Sequence, residues 1–174
     1  EKFTVSCDKD FVSSLLYQKP TSNTIYVSSD TKKESASGSV EVTINSICLR
    51  QSGTCDYEGT AWAAFALLKN HDITTLIPYL VGYSDRNERL LPDAFLYALT
   101  GQEDYASALL ASQKLAGYWQ APSSAYGRLY DTALVLLALG DYDSDKKDKA
   151  KEFLLKEQAK SGVDTGSWES DKKD

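Results

Sequence analysis

Three carboxylates stand where acid–base chemistry would need them. Glu58, Asp93 and Asp131 each lie just inside the start of an alanine-rich apolar segment, in YEGTAW, LPDAF and LYDTAL. If those segments are helices whose starts share one rim, the acids converge. A pair of carboxylates facing a cavity is the arrangement that cleaves glycosidic bonds. Tyr57, Trp62, Tyr126 and Tyr130 near the same rim would offer flat faces for a sugar or a peptide. The competing reading is architectural: an acid in the first turn complements the positive end of a helix, and Trp62 packs. The three acids are therefore candidates, with no catalytic residue assigned outright.

Other chemistry finds less to work with. Asp141, Asp143, Asp145 and Glu152 have the 1, 3, 5, 12 spacing of a calcium loop, but Lys146 stands where that loop turns on glycine. Lys147 and Lys149 would also repel a cation, so acidic residues leading into a helix are the stronger reading. The single histidine, His71, sits in KNHD after an apolar segment, as a mild partner for a helix C-terminus or as plain surface. Cys48 and Cys55 flank a turn-like RQSGT, and a disulfide between them is geometrically plausible. Such a bond would place the protein in an oxidising, extracytoplasmic setting, secreted or at a cell surface. Two buried thiols are the alternative. With no CxxC pair and one distant histidine, neither a metal nor any other cofactor is called for.

The whole chain sets further bounds. It has 174 residues and a net charge of −6, and 42% of its residues are hydrophobic, which suits a folded domain. Negative charge argues against nucleic acid and anionic membranes as partners. No run reaches the ~18 apolar residues that a membrane span needs. A start at Glu1 and the absence of methionine suggest a processed or trimmed product.

The elements that would position these residues divide near residue 38. Residues 1–38 read as an appendage. In it, Asp10–Gln18 is expected to be a short helix, because Phe11, Val12, Leu15 and Leu16 share a helical face. Thr24–Ser29 reads as a strand, and DTKKESASGS as a charged loop or hairpin tip. Residues 39–174 read as helical repeats. Amphipathic segments, Tyr105–Gln113 and Lys149–Gln158, alternate with nearly uncharged ones, Thr60–Leu68 and Thr132–Leu139. That is the signature of an outer helix layer around an inner one. Val40–Gln51 is expected to be a further outer helix, although its VEVTI run also permits a strand. Ile73–Val81 is a shorter outer segment, with Pro78 forcing it to kink or start late.

A phrase recurs where the outer segments end. Gln113 is followed by Gly117-Tyr118-Trp119, and Gln158 by Gly166-Ser167-Trp168; a degenerate copy reads Ile47, Cys48, Leu49, Gln51, Gly53, with Cys55 in the tryptophan's place. These phrases, with YDTALVLLALG, resemble the QW-type motif of the prenyltransferase and squalene-cyclase repeat superfamily over roughly Val40–Trp168. The resemblance implies a mainly α chain. It would be a partial α/α toroid, an open arc of about three helical hairpins, behind a small N-terminal helix and β-hairpin region. It also implies that Gln113, Trp119, Gln158 and Trp168 are structural. The Gln would bond carbonyls left open at a helix end, and the Trp would pack over the junction.

The superfamily's chemistries have no counterpart here. DYDSD is not the DxDD acid motif, one histidine cannot complete a zinc set, and no cysteine begins CGEQ. The expected function is thus a non-enzymatic interaction or structural module with a curved repeat surface. It would pair with a protein partner, with the rest of its parent chain, or with itself as a homo-oligomer. The alternatives are a carbohydrate-active enzyme working through the rim acids and a carrier of a small ligand.

Overall fold

The structure is a computed structural model and describes residues 2–160 and 165–168. The chain is a mixed, helix-rich protein. By contacts it divides into two units, Glu1–Asp85 and Arg86–Asp174.

The first unit opens with antiparallel pairs that nest inside one another. β1 (Lys2–Ser6) pairs with β6 (Ser39–Thr43), β2 (Phe11–Ser13) with β5 (Lys32–Glu34), and β3 (Leu16–Gln18) with β4 (Ile25–Val27). The result is one long two-stranded ribbon interrupted twice. Tyr17 and Tyr26 face each other across the innermost pair, with stacked rings 5.2 Å apart. Burial pushes the Tyr17 phenol up to about 12, with a further push from Tyr26.

Two expectations fail in this ribbon. Asp10–Gln18 is not a helix but β2 and β3, joined through Ser14, whose hydroxyl donates to Ser28 O at 3.0 Å. Val40–Gln51 is not an outer helix either. Its first residues form β6, with Val42 fully buried, and its last form β7 (Arg50–Gln51). Period-two alternation of Val40 and Val42 with Glu41 and Thr43 builds a half-buried strand. Part of the expected loop DTKKESASGS is likewise strand β5, held by β2. Thr24–Ser29 does contain a strand, β4.

β7 and β8 (Thr54–Cys55) make a tight hairpin. Its turn residues Ser52 and Gly53 both have positive φ (51° and 85°), the left-handed pair that a two-residue hairpin turn demands. A disulfide joins Cys48 to Cys55 with Cα atoms 5.6 Å apart; Cys7 is an exposed free thiol. Replacing Cys48 and Cys55 by Ser should cost about 2–3 kcal/mol, the chain-entropy value for so short a loop. Urea unfolding measures the loss. Thiol titration of the denatured wild type should find one reactive group before reduction and three after it.

α1 (Tyr57–Leu67) and α2 (Ile77–Tyr83) complete the first unit; α2 packs on α1 and on β3. Ala61 and Ala64 of α1 are fully buried, and small side chains there permit close approach. α2 begins at Ile77, later than the pattern Ile73–Val81 suggested, so Pro78 falls in the first turn where its missing N–H is harmless. A 3₁₀ segment, Ser84–Leu90, follows.

The second unit holds α3 (Pro92–Thr100), α4 (Glu103–Ser112), α5 (Arg128–Leu139) and α6 (Asp145–Glu157). α3 packs against α4 and α5, and α5 against α6. The nearly uncharged helices α3 and α5 are thus neighbours, each with a charged amphipathic helix beside it. Leu96, Val135, Leu139, Leu109 and Trp119 supply the core. No helix of the described chain is long and apolar enough to cross a membrane.

Candidate functional site

The residues marked out by the recurring phrase come together twice, with the same bonds. After α4, the Gln113 amide donates to Gly117 O at 2.9 Å, and the Trp119 indole N–H donates back to Leu109 O at 2.6 Å. After α6, the Gln158 amide donates to Gly166 O at 2.7 Å, and the Trp168 indole N–H to Leu154 O at 2.7 Å. The backbone repeats as well: Lys114 N–H donates to Tyr118 O, and Ala159 N–H to Ser167 O. The tryptophan indole adds a second donor to a last-turn carbonyl that already accepts one, Leu109 O from the Ser112 hydroxyl and Leu154 O from Gln158 N–H, while the glutamine pins the loop that carries the tryptophan. Gln113 also donates to Lys146 O at 2.7 Å, and Lys146 Nζ donates to Leu110 O, so the first junction clasps the start of α6.

Two contributors escaped the sequence reading. Thr132 Oγ1 donates to Arg128 O at 2.6 Å within α5 and accepts from Trp119 N–H at 3.0 Å, fixing the junction to the next helix. In the first unit, Thr60 Oγ1 donates to Asp56 O within the opening turn of α1 and accepts from Leu49 N–H at 3.0 Å. The degenerate copy expected at Ile47 to Cys55 is a disulfide-closed hairpin rather than a helix end, and there it is Leu49 whose N–H meets a threonine as Trp119 N–H meets Thr132. The signal was the shared Thr in GTAW and DTAL, four residues after the carbonyl it bonds. Arg128 is the second omission. Its guanidinium lies over Tyr118 and Phe153 at 5.8 and 5.6 Å and pairs with Glu157 at 3.0 Å, bracing α5 against α6.

The rim acids fare differently. Glu58 and Asp93 are half-buried in the first turns of α1 and α3, in separate units. Asp131 is 1% exposed and accepts from Ala121 N–H at 2.8 Å. It holds the preceding loop rather than its own helix. Burial raises its pKa; the Ala121 N–H and the Ser124 hydroxyl pull it part of the way back. A folded pKa above the ordinary carboxylate range means the native state keeps the proton longer than the unfolded chain. Asp131 therefore favours folding most at low pH, and that contribution is lost as pH rises through the folded value. Asp131→Ala should cost about 1–3 kcal/mol by leaving a buried N–H unmatched. Asp131→Asn keeps an acceptor oxygen and should gain on wild type as pH rises. Urea titrations across the acid range test both, and a negligible cost for Asp131→Ala would refute this role.

The calcium spacing does not assemble a site. Asp141, Asp143 and Asp145 are exposed, and Lys147 Nζ sits on the Gly140 and Tyr142 carbonyls of the same loop. Ser144 caps α6, accepting from Lys146 N–H. Among the described residues no cluster of three or more His, Cys, Asp or Glu could hold a metal. His71 is exposed in a turn after α1. Of the aromatic residues near the rim, Trp62 and Tyr130 are half-buried and Tyr126 is 45% exposed. Tyr57 is buried and donates to Leu80 O at 2.9 Å, Trp62 meets Phe65 edge-on, and Tyr126 and Tyr130 pair with each other at 4.5 Å. No family model, curated protein or solved structure matches the chain.

Proposed function

We propose that the chain is a non-enzymatic interaction or structural module of an extracytoplasmic protein, with helical hairpins of the partial α/α-toroid kind. The observation that carries this reading is the duplicated junction. Gln113 with Trp119 and Gln158 with Trp168 make the same pair of bonds at successive helix ends, as repeat units that stack on one another would. The commitment of Asp131 to a backbone N–H supports an architectural role for the rim acids, and the Cys48–Cys55 bond is compatible with a secreted or surface location.

The carbohydrate-active alternative supplies the test. Purified protein is incubated with a panel of neutral and acidic polysaccharides, and reducing ends are counted. The module reading expects none, from wild type and from Asp131→Asn alike. Turnover by wild type that vanishes in Asp131→Asn or Asp93→Asn, with the melting temperature not lowered, would overturn it.

A further inference from the structure

The innermost pair of the ribbon leaves one strand edge open. The bond from Ser28 N–H to Leu15 O fixes the phase of the β3–β4 ladder. Bonded and non-bonded pairs alternate along an antiparallel ladder. Tyr17 and Tyr26 are therefore a bonded pair, and the N–H and C=O groups of Ile25 and Val27 point away from β3. Among the described residues no strand pairs with that outer edge. Ile25 is 58% exposed and Val27 66%.

Charges and prolines are the devices that keep such edges from pairing. Every other strand of the ribbon carries or adjoins a charge: Lys2 in β1, Asp10 before β2, Lys19 after β3, Lys32–Glu34 in β5 and Glu41 in β6. Residues 21–29, which contain β4, include no charged residue, no proline and no glycine. The β3 side of the pair is already engaged, for α2 packs on β3 and Lys19 at its end pairs with Asp85 at 3.5 Å.

The edge of β4 also matches itself. A second β4 laid antiparallel, with the two-fold axis beside Tyr26, sets Ile25 opposite Val27 of the other copy and Val27 opposite its Ile25. The outward N–H and C=O groups then meet as bonded pairs. Leu16 lies opposite Val27 and Gln18 opposite Ile25, so these side chains share one face of the sheet. Pairing through β4 joins the exposed aliphatic side chains of Leu16, Ile25 and Val27 to those of the second copy in cross-strand contact, and no like charges meet. On the other face it extends the Tyr17–Tyr26 stack into a continuous row.

We infer that β4 is a dimerisation edge, through which two copies of this chain join antiparallel at Ile25–Val27 into one continuous sheet. The pairing is isologous and uses both β4 edges, so it closes as a dimer instead of growing. The inference stands on the ribbon alone and goes beyond the repeat reading, whose junctions it leaves untouched.

Sedimentation equilibrium of the full chain tests it, in a Cys7→Ser background so that the exposed thiol cannot link copies. A reversible monomer–dimer equilibrium is expected. Val27→Lys should weaken it about tenfold or more by placing a charge in the apolar contact. Val27→Pro removes a donor that points outward, where an edge strand tolerates proline, and should weaken it to a similar degree. Both changes are at an exposed position, so the melting curve should stay near that of wild type. Register is read by crosslinking under mild oxidation. Ile25→Cys mixed with Val27→Cys should give a mixed disulfide, since bonded partners have Cα atoms about 5.5 Å apart. Neither variant alone should crosslink, because like positions would lie about 8 Å apart. A chain that stays monomeric up to about 1 mM overturns the inference and leaves the edge to a strand of another protein. A dimer indifferent to both Val27 substitutions overturns it by placing the interface elsewhere. Polymers that lengthen with concentration would overturn the closed two-fold pairing, and crosslinking of Ile25→Cys with itself as efficiently as with Val27→Cys would overturn the register.

Discussion

Trp119→Ala is expected to lower unfolding free energy by about 3–5 kcal/mol, and Trp168→Ala by only about 1–2 kcal/mol. The two tryptophans follow the same kind of helix end and donate the same bond, to Leu109 O and Leu154 O. What separates them is burial. Trp119 fills the space where α4, its loop and the opening of α5 meet, and removing its ring leaves a cavity that neighbours on three elements cannot all relax to fill. Its own backbone N–H is held by Thr132, so the loop cannot simply collapse inward. Trp168 has solvent over nearly half its surface, so truncation forfeits one hydrogen bond and part of its apolar contact. Urea unfolding followed by far-UV circular dichroism reads both. Equal losses would contradict the difference in burial between the two tryptophans. Trp119→Phe separates the two contributions at the first site, since it keeps much of the volume and loses the indole donor.

The helices of the second unit were legible because their information is local. Uncharged alanine-rich runs and charged amphipathic runs differ in composition over a dozen residues, and the glutamine, glycine and tryptophan of each junction recur in order. Even the late start of α2 followed from one residue, Pro78. The first unit was not legible for an equally physical reason. Phe11, Val12, Leu15 and Leu16 satisfy a helical face on paper, but strands of three residues gain stability only from their partners, here Lys32–Glu34 and Ile25–Val27. No window containing Asp10–Gln18 includes those partners. At Val40–Thr43 the local alternation is that of a strand, and pairing with Lys2–Ser6 realises it against the helical period of the repeat.

The candidate acids illustrate a further limit. A carboxylate in the first turn of a helix looks the same in sequence whether it faces a cavity, caps its own helix or holds a neighbouring loop. Asp131 does the last, and only the position of Ala121 N–H distinguishes the three.

Gly117 and Gly166 offer the sharpest contrast between the two junctions. Both have φ near +90°, where side-chain-bearing residues are strained, so alanine at either should cost about 1–2 kcal/mol in backbone conformation alone. At Gly166 that is the whole cost among the described residues, none of which lies within 4 Å of an added Cβ. At Gly117 the same methyl would stand 2.7 Å from Lys149 O and 3.1 Å from its carbonyl carbon. Those atoms belong to the backbone of α6, which cannot swing aside as a side chain would. Relief requires moving α6 or the loop, at a further cost of about 1–3 kcal/mol. Movement of the loop would in turn lengthen the bond from the Gln113 amide to Gly117 O. Gly117→Ala should therefore destabilise by about 2–5 kcal/mol in total and Gly166→Ala by no more than about 2. The difference would show in urea midpoints with unchanged slopes. If the two losses were equal, the tight passage of the first loop against α6 would be wrong, and with it the view that α6 seals the first junction.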